Sequence, residues 1–267
     1  IKRETCLLAQ ALDVRGLLNI QFAVRDDEVF ILEVNPRASR TVPFVSKARG
    51  VALAQLATRI ISQGQTLEQF DLTVPGKSRV AVKEAVFPFI KFPGVDVILG
   101  PEMRSTGEVM GLDDDFGMAF AKSQMAAGVP LPLAGTVLLT VHDNDKANLL
   151  PIAQSFVEEG FKLLATCGTA NYLAQHGLQV ERVFKLGEGR PNIVDLIKNG
   201  EVDLLVNTPM GKGSRTDEYK LRRQVLSNNV PFMTTIQGAQ AALAGIRALR
   251  QRGFTVRSLQ EYYELNN

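Results

Sequence analysis

Short apolar runs alternate with longer amphipathic stretches through the second half of the chain. Runs 136–141, 161–165, 180–184, 203–206 and 231–234 read as five strands. The intervening pattern predicts helices: one ending near Gly160, one over about 169–176 stopped by Gly177, and one over 191–199 stopped by Gly200. In the third, Pro191 suits a first helical position. A last helix opens at Ser258, where Glu261 three residues on forms a capping box. Pro151 demands either a helix start near Asn148 or a bend. Strands this short and apolar, alternating with helices, predict a parallel sheet covered on both faces. The first half reads differently. A short helix fits 5–12, with Thr5 as a weak cap, and strands fit 18–24 and 29–34. An amphipathic helix over 51–62 stops near Gly64, 79–88 and 107–111 look extended, and Asp115 caps a helix running to about Ala126. The Pro- and Gly-rich stretch 127–133 is the best boundary, dividing an α+β piece from an α/β piece.

Composition narrows the function classes. With 267 residues, 45% hydrophobic and 22% charged, the chain can bury real cores, which excludes disorder and fibres. Net charge is +2, with 15 basic against 15 acidic residues before the boundary and 15 against 13 after it. Neither half carries a basic footprint for nucleic acid. Cys6 and Cys167 are far apart and too few for a disulfide framework, which points to a reducing, cytoplasmic setting. The uncharged stretches 123–142 and 224–246 are broken by Pro, Gly and amide side chains, so no membrane span is expected. The chain opens on Ile1 without a signal-peptide pattern and reads as a piece of a longer polypeptide.

Two places carry candidate chemistry. Folding the early strands on a three-residue loop, 26–28, pairs residues whose numbers sum to 54. Phe22 then faces Leu32 and Val24 faces Phe30 on an apolar side, while Gln21 faces Glu33 and Asn19 faces Asn35 on the other. A carboxylate flanked by amide oxygens suits a hard divalent cation whose other ligands come from phosphates. Arg37 and Arg40 come directly after, forked cations suited to phosphate oxygens. On alternation alone, an ordinary polar hairpin face is the commoner reading.

The second place is the carboxyl ends of the five strands, where open parallel sheets bind ligands. These ends offer Lys146, the turn Thr166-Cys167-Gly168-Thr169, Lys185, Asn207-Thr208 and Thr234-Thr235. Thr166 to Thr169 opens a helix whose free N–H groups attract phosphate. Alone, that turn is equally an N-cap with a turn glycine; lysines at two strand ends tilt it toward an anion site. His142 and His176 lack metal-spaced partners, and Asp113-Asp114-Asp115 reads as a solvated helix entry.

The run Glu33-Val34-Asn35-Pro36-Arg37-Ala38-Ser39-Arg40-Thr41 resembles the metal-binding strand of ATP-grasp enzymes, and in particular the carbamoyl-phosphate synthetase large subunit. Phe92-Pro93-Gly94-Val95-Asp96 and the run from Leu99 to Gly111 strengthen the likeness, which covers essentially the whole chain. Biotin carboxylase shares a Glu-x-Asn-x-Arg strand but lacks its continuation into Ala38-Ser39-Arg40-Thr41. The resemblance implies an α+β ATP-grasp C-terminal piece over 1–133, the end of the half that phosphorylates carbamate to carbamoyl phosphate. Gln21, Glu33 and Asn35 are implied to hold Mg2+ or Mn2+ and, with Arg37 and Arg40, to meet the phosphoryl groups of ATP. Over 134–267, Ala165-Thr166, Gly168-Thr169, Glu188-Gly189-Arg190-Pro191 and Leu221-Arg222-Arg223 resemble the methylglyoxal-synthase-like allosteric domain. That implies a Rossmann-like α/β domain with a five-stranded parallel sheet, binding UMP or IMP at Lys146, Thr166, Thr169, Lys185, Asn207 and Thr208. Cys167 and Pro209 depart from the family pattern and leave the effector open. Glu84 and Thr234 match positions implied to bind ornithine.

By the same resemblance the enzyme is a ligase of arginine and pyrimidine biosynthesis, partnered by a glutaminase small subunit. The nucleotide-cradling subdomain is expected before Ile1, so the chain alone is expected not to turn over. A rival from another class is a stand-alone nucleotide-monophosphate-binding regulatory protein. A methylglyoxal-synthase-type lyase needs a catalytic Asp and His in the pocket, and neither His142 nor His176 has that context.

Overall fold

The first hairpin of the fold is built around an Asp-Asp turn. In the computed structural model, which describes residues 1–72, 79–86, 107–208 and 215–264, side chains in the last stretch are described from 220 to 263. Strands β1 (Asn19–Arg25) and β2 (Glu28–Asn35) pair antiparallel. Asn19 opposite Asn35, Ile20 opposite Val34 and Gln21 opposite Glu33 match the expected register. Beyond Gln21 the register slips by one, so Phe22 pairs with Ile31 and Val24 with Val29, not with Leu32 and Phe30. The loop is shorter than expected. Asp26 and Asp27 both have positive φ, 50° and 67°, forming the two-residue mirror-image turn whose twist matches the strands. A bulge at Leu32 then absorbs the odd residue.

Along the chain the hairpin is flanked by α1 (Lys2–Ala11), α2 (Thr41–Arg49) and α3 (Leu53–Gln63). Thr5 does not cap α1; the helix begins earlier, and the Thr5 hydroxyl donates to the Ile1 carbonyl at 3.0 Å. Helix α2 was hidden by Pro43, which sits in the first turn where a missing N–H breaks no helical bond. Gly50 ends α2 at φ +67, and a Cβ there would lie 2.9 Å from the Tyr263 ring. Tyr263 also donates its hydroxyl to the Lys47 carbonyl. It belongs to the last helix, α10 (Leu259–Glu264), whose predicted capping box is present: Ser258 N donates to Glu261 and Glu261 N to Ser258 Oγ. Gly50→Ala should therefore destabilise this unit by about 1 kcal/mol or more, through its left-handed backbone and the tyrosine contact. An unchanged urea midpoint would contradict that packing.

The chain forms two compact units, 1–78 with 256–267, and 79–255. The second unit runs through the Pro- and Gly-rich stretch 127–133, and α10 joins the first unit although it comes after the α/β sequence. In the second unit β3 (Val80–Val86) and β4 (Gly107–Asp113) pair antiparallel under α4 (Phe116–Ala126), capped as expected by Asp115, which accepts from Met118 N at 2.9 Å. Helix α4 also packs on a long helix near residue 244: a Cβ on Gly117 would collide with the Ala244 carbonyl. That contact ties β3, β4 and α4 to the α/β sheet.

The sheet comprises β5 (Thr136–Thr140), β6 (Lys162–Thr166), β7 (Glu181–Val183), β8 (Leu204–Asn207) and β9 (Phe232–Met233). Its order is β7-β6-β5-β8-β9, all parallel. Alternate residues separate cleanly. Val137, Leu139, Leu163, Ala165, Leu204 and Val206 join one core with α5 (Lys146–Glu158), α6 (Cys167–Gln175) and α9 (Ile236–Arg252). Leu138, Leu164 and Leu205 join the other, with α7 (Ile193–Lys198) and α8 (Arg215–Ser227). Each such fully buried aliphatic side chain contributes about 1.5–3 kcal/mol. Pro151 neither starts nor visibly ends a helix; it sits exposed within α5, which begins at Lys146. Helix α7 starts after Pro191 because Asn192 caps it, accepting from Val194 N and Asp195 N. Among the described residues no helix is long and apolar enough to cross a membrane.

Candidate functional sites: an oxygen-bearing hairpin face and an anion pocket

The expected oxygen face of the hairpin forms ahead of the bulge. Gln21 and Glu33 lie directly opposite, both exposed, and Asn35 falls two residues on from Glu33 on the same face. The Asn35 amide donates to Glu33 Oε1, so carboxylate and amide are already drawn together. One carboxylate and two amides make a partial hard-cation shell, leaving room for phosphate oxygens. No cluster of three His, Cys, Asp or Glu side chains that could hold a metal occurs among the described residues. Arg37 and Arg40 are exposed on the link from β2 to α2, and Arg37 donates to the Ala38 carbonyl at 3.1 Å.

At the other site, β5 is flanked by β6 and β8, and the sheet's connections reverse direction there. Such a switch point opens a crevice at the strands' carboxyl ends. Hydrogen bonds knit its wall: His142 N donates to Thr208 Oγ1 at 2.8 Å, and Val141 N to Thr169 Oγ1 at 3.3 Å. Thr166 Oγ1 donates to Thr140 Oγ1 at 3.1 Å. Thr166 is the N-cap of α6 but its side chain makes no capping bond, because it is turned to Thr140. Thr169 is not a cap either; it lies in the helix's first turn. The amino end of α6 thus has no capping bond from the Thr166 side chain, and helix first turns present N–H donors beyond the helix. Lys146 Nζ lies over it, 3.1 Å from where a Cβ on Gly168 would stand.

Asn207 supplies a separate sign of a ligand. It is 7% exposed at the end of β8, and its side-chain Nδ2 finds no hydrogen-bond partner among the described residues. A buried donor left unpaired costs about 1–3 kcal/mol, which an anion acceptor would recover. Thr166, Thr169 and Thr208 are buried beside it in the wall, and half-buried Lys185 lies beyond β7, in electrostatic reach of Asp143. All six expected pocket positions therefore stand at carboxyl strand ends of one sheet. Sequence reading missed Thr140 and Asp143. The i,i+3 spacing of Asp143 and Lys146 was the available signal.

Glu84 and its neighbour Lys83 make different contacts. Lys83 turns out to Glu108, 2.6 Å away, whereas Glu84 turns toward α4 and accepts from Gln124 Nε2 at 2.9 Å. Burial pushes its carboxyl up, partly offset by hydrogen bonds from Gln124 and the Ala85 backbone. Thr234 is exposed just beyond β9. The raised value favours the neutral acid in the folded chain. Its stabilising contribution is full below the ordinary carboxylate range and is lost as pH rises through the folded value. Glu84→Gln should therefore melt higher than the parent near pH 7, with the difference fading toward about pH 4. Equal melting at both values would contradict this assignment.

Residues 1–70 carry the signature of the carbamoyl-phosphate synthase L chain, ATP binding domain, and residues 148–234 that of the MGS-like domain. The sequence is 53% identical to a carbamoyl phosphate synthase large chain of Nostoc sp. (98% of this chain, 24% of the relative). It is 52% identical to that of Archaeoglobus fulgidus (96% and 24%). The chain belongs to the carbamoyl phosphate synthase large-chain family. It is also 45% identical to the large chain's C-terminal section from Aquifex aeolicus, over 99% of this chain and 53% of that protein. It spans about a quarter of the length of full large chains and about half of that section. A crystal structure of methylglyoxal synthase from Elizabethkingia anophelis aligns with 49% of this chain and 91% of its own at TM-score 0.36 and 19% identity.

Within the carbamoyl phosphate synthase family, the two signatures fall in different compact units, the first in 1–78 and the second in 79–255. The fold class stands as expected: an ATP-grasp end, then an MGS-like domain on a five-stranded parallel sheet. The motif 92–96, the run 99–106 and Pro209 lie outside the described residues.

Proposed function

We propose that this chain is the carboxyl end of the carbamate-phosphorylating half of a carbamoyl phosphate synthase, joined near residue 133 to its effector-binding domain. Its roughly 50% identity to large chains along nearly its whole length carries the reading. The enzyme is a cytoplasmic ligase serving arginine and pyrimidine synthesis, fed with ammonia by a glutaminase small subunit. Gln21, Glu33 and Asn35 would hold Mg2+ or Mn2+, which when bound neutralises and orients the phosphoryl oxygens of ATP. Arg37 and Arg40 take the remaining phosphoryl charge from the adjoining link. No side chain acts as a covalent nucleophile; phosphoryl transfer asks for positioning and charge neutralisation.

The anion pocket takes the phosphate of UMP or IMP. Lys146 and Lys185 neutralise it, the amino end of α6 and Asn207 donate to it, and Thr166, Thr169 and Thr208 shape the wall. Glu84, half-buried with no cationic partner among the described residues, suits the ammonium of ornithine, with Thr234 as a second contact. Because the anion pocket lies wholly within one unit, a second reading is favoured for the chain in isolation: it binds nucleoside monophosphates without chemistry. Supplied with ATP, bicarbonate and ammonia, the 267-residue chain should give no carbamoyl phosphate above background. Measurable synthesis would overturn the placement of the active site.

A further inference from the structure

The anion pocket carries an anion of its own. Asp143 Oδ1 stands 2.7 Å from Lys146 Nζ, the same ammonium that lies over the first turn of α6. A cation against the positive end of a helix is unfavourable by itself, and a carboxylate beside it compensates both charges. Lys146 is 15% exposed and Asp143 86%, which puts the carboxylate on the solvent side of the ammonium, where a ligand must arrive. The hydrogen bond and charge of Lys146, then His142 and Lys185, hold the Asp143 carboxyl below the usual carboxylate range. It therefore stands ionised in the field of both pocket lysines.

We propose that Asp143 is a tethered competitor which occupies the phosphate's place beside Lys146 and sets both the affinity and the charge selectivity of the pocket. This rests on the anion-pocket reading above. A dianionic phosphate, with more charge and more acceptors than one carboxylate, displaces Asp143 from the lysine; a monoanion of carboxylate type merely matches it. Asp143 thus lowers affinity for every anion and costs the singly charged ones most. The Asp143–Lys146 pair is solvent-facing, so the effect is modest and screened by salt.

The test is calorimetry on the full chain at low salt with UMP, inorganic phosphate and acetate, comparing the parent with Asp143→Asn. The variant should bind UMP and phosphate about three- to fivefold more tightly and lose part of its preference for phosphate over acetate. Glu181→Gln serves as the charge control: it removes the same charge at the amino end of the sheet, where Glu181 pairs with Lys162. It should change UMP affinity by less than about twofold. Unchanged or weaker UMP binding by Asp143→Asn overturns the proposal, as does an equal gain in Glu181→Gln. If neither parent nor variant binds any phosphate, the anion-pocket reading itself fails and this proposal falls with it.

Discussion

Replacing Lys146 or Lys185 with alanine should weaken UMP binding to this chain by about one to two decades. A partly desolvated phosphate held by several donors loses about 1.5–3 kcal/mol with each charge-assisted contact, and each 1.4 kcal/mol is about tenfold. Lys146 lies directly over the α6 amino end. The nucleoside should hardly notice either change, because the lysines address the phosphate alone. Calorimetry with UMP and uridine on parent and variants separates the cases. Equal losses for both ligands would move the lysines away from the phosphate.

The largest stability effect is expected at Gly111. Its Cα faces the α4 backbone so closely that an added methyl would collide with the Ala119 carbonyl and crowd Ser123 N. Both are backbone atoms in a buried helix and cannot swing aside. Gly111→Ala should cost about 3 kcal/mol or more, the upper range for overpacking a core. Gly64→Ala is the contrast, since nothing lies within 4 Å of a Cβ there and only the positive φ of 63° is penalised. Denaturant melts of the two variants should differ by about 2 kcal/mol or more; similar midpoints would show that β4 and α4 pack less tightly than they stand.

The α/β half was legible because its strands are buried on both faces, so apolar runs such as 137–139 and 204–206 announce themselves. The alternation of Val137 and Leu139 against Leu138 also assigns the two cores without ambiguity. The hairpin was legible only up to Gln21. A pleated strand records its face in every second residue, but a bulge at Leu32 leaves no compositional mark, and an Asp-Asp pair is a rarer two-residue turn than Asn-Gly. The Gln21–Glu33 pairing was legible because it lies on the near side of the bulge. Helix α2 was masked by a proline that a first turn tolerates. The extent of the second compact unit was not legible either, since what fastens β3, β4 and α4 to the sheet is close contact between glycines and backbone across α4 and α9. The ion pair of Arg252 with Asp115, 3.0 Å, adds to it. Such contacts are distant in sequence and leave no periodic trace.

At the candidate sites, residue types were legible and their states were not. That Thr166 turns its hydroxyl to Thr140, leaving the helix end uncapped, is a consequence of the tertiary placement of β5 beside β6. The unpaired Nδ2 of Asn207 and the inward turn of Glu84 toward Gln124 likewise depend on what packs against each strand end.

The claim that the second unit holds a phosphate-centred effector pocket is tested most directly by titrating the unmodified 267-residue chain with UMP, IMP and uridine in a calorimeter. At least one nucleotide should bind, and uridine should bind about a hundredfold more weakly than UMP or not measurably, since it lacks the group that the lysines and helix end address. Uridine binding as tightly as UMP, or no binding by either nucleotide, would contradict the account.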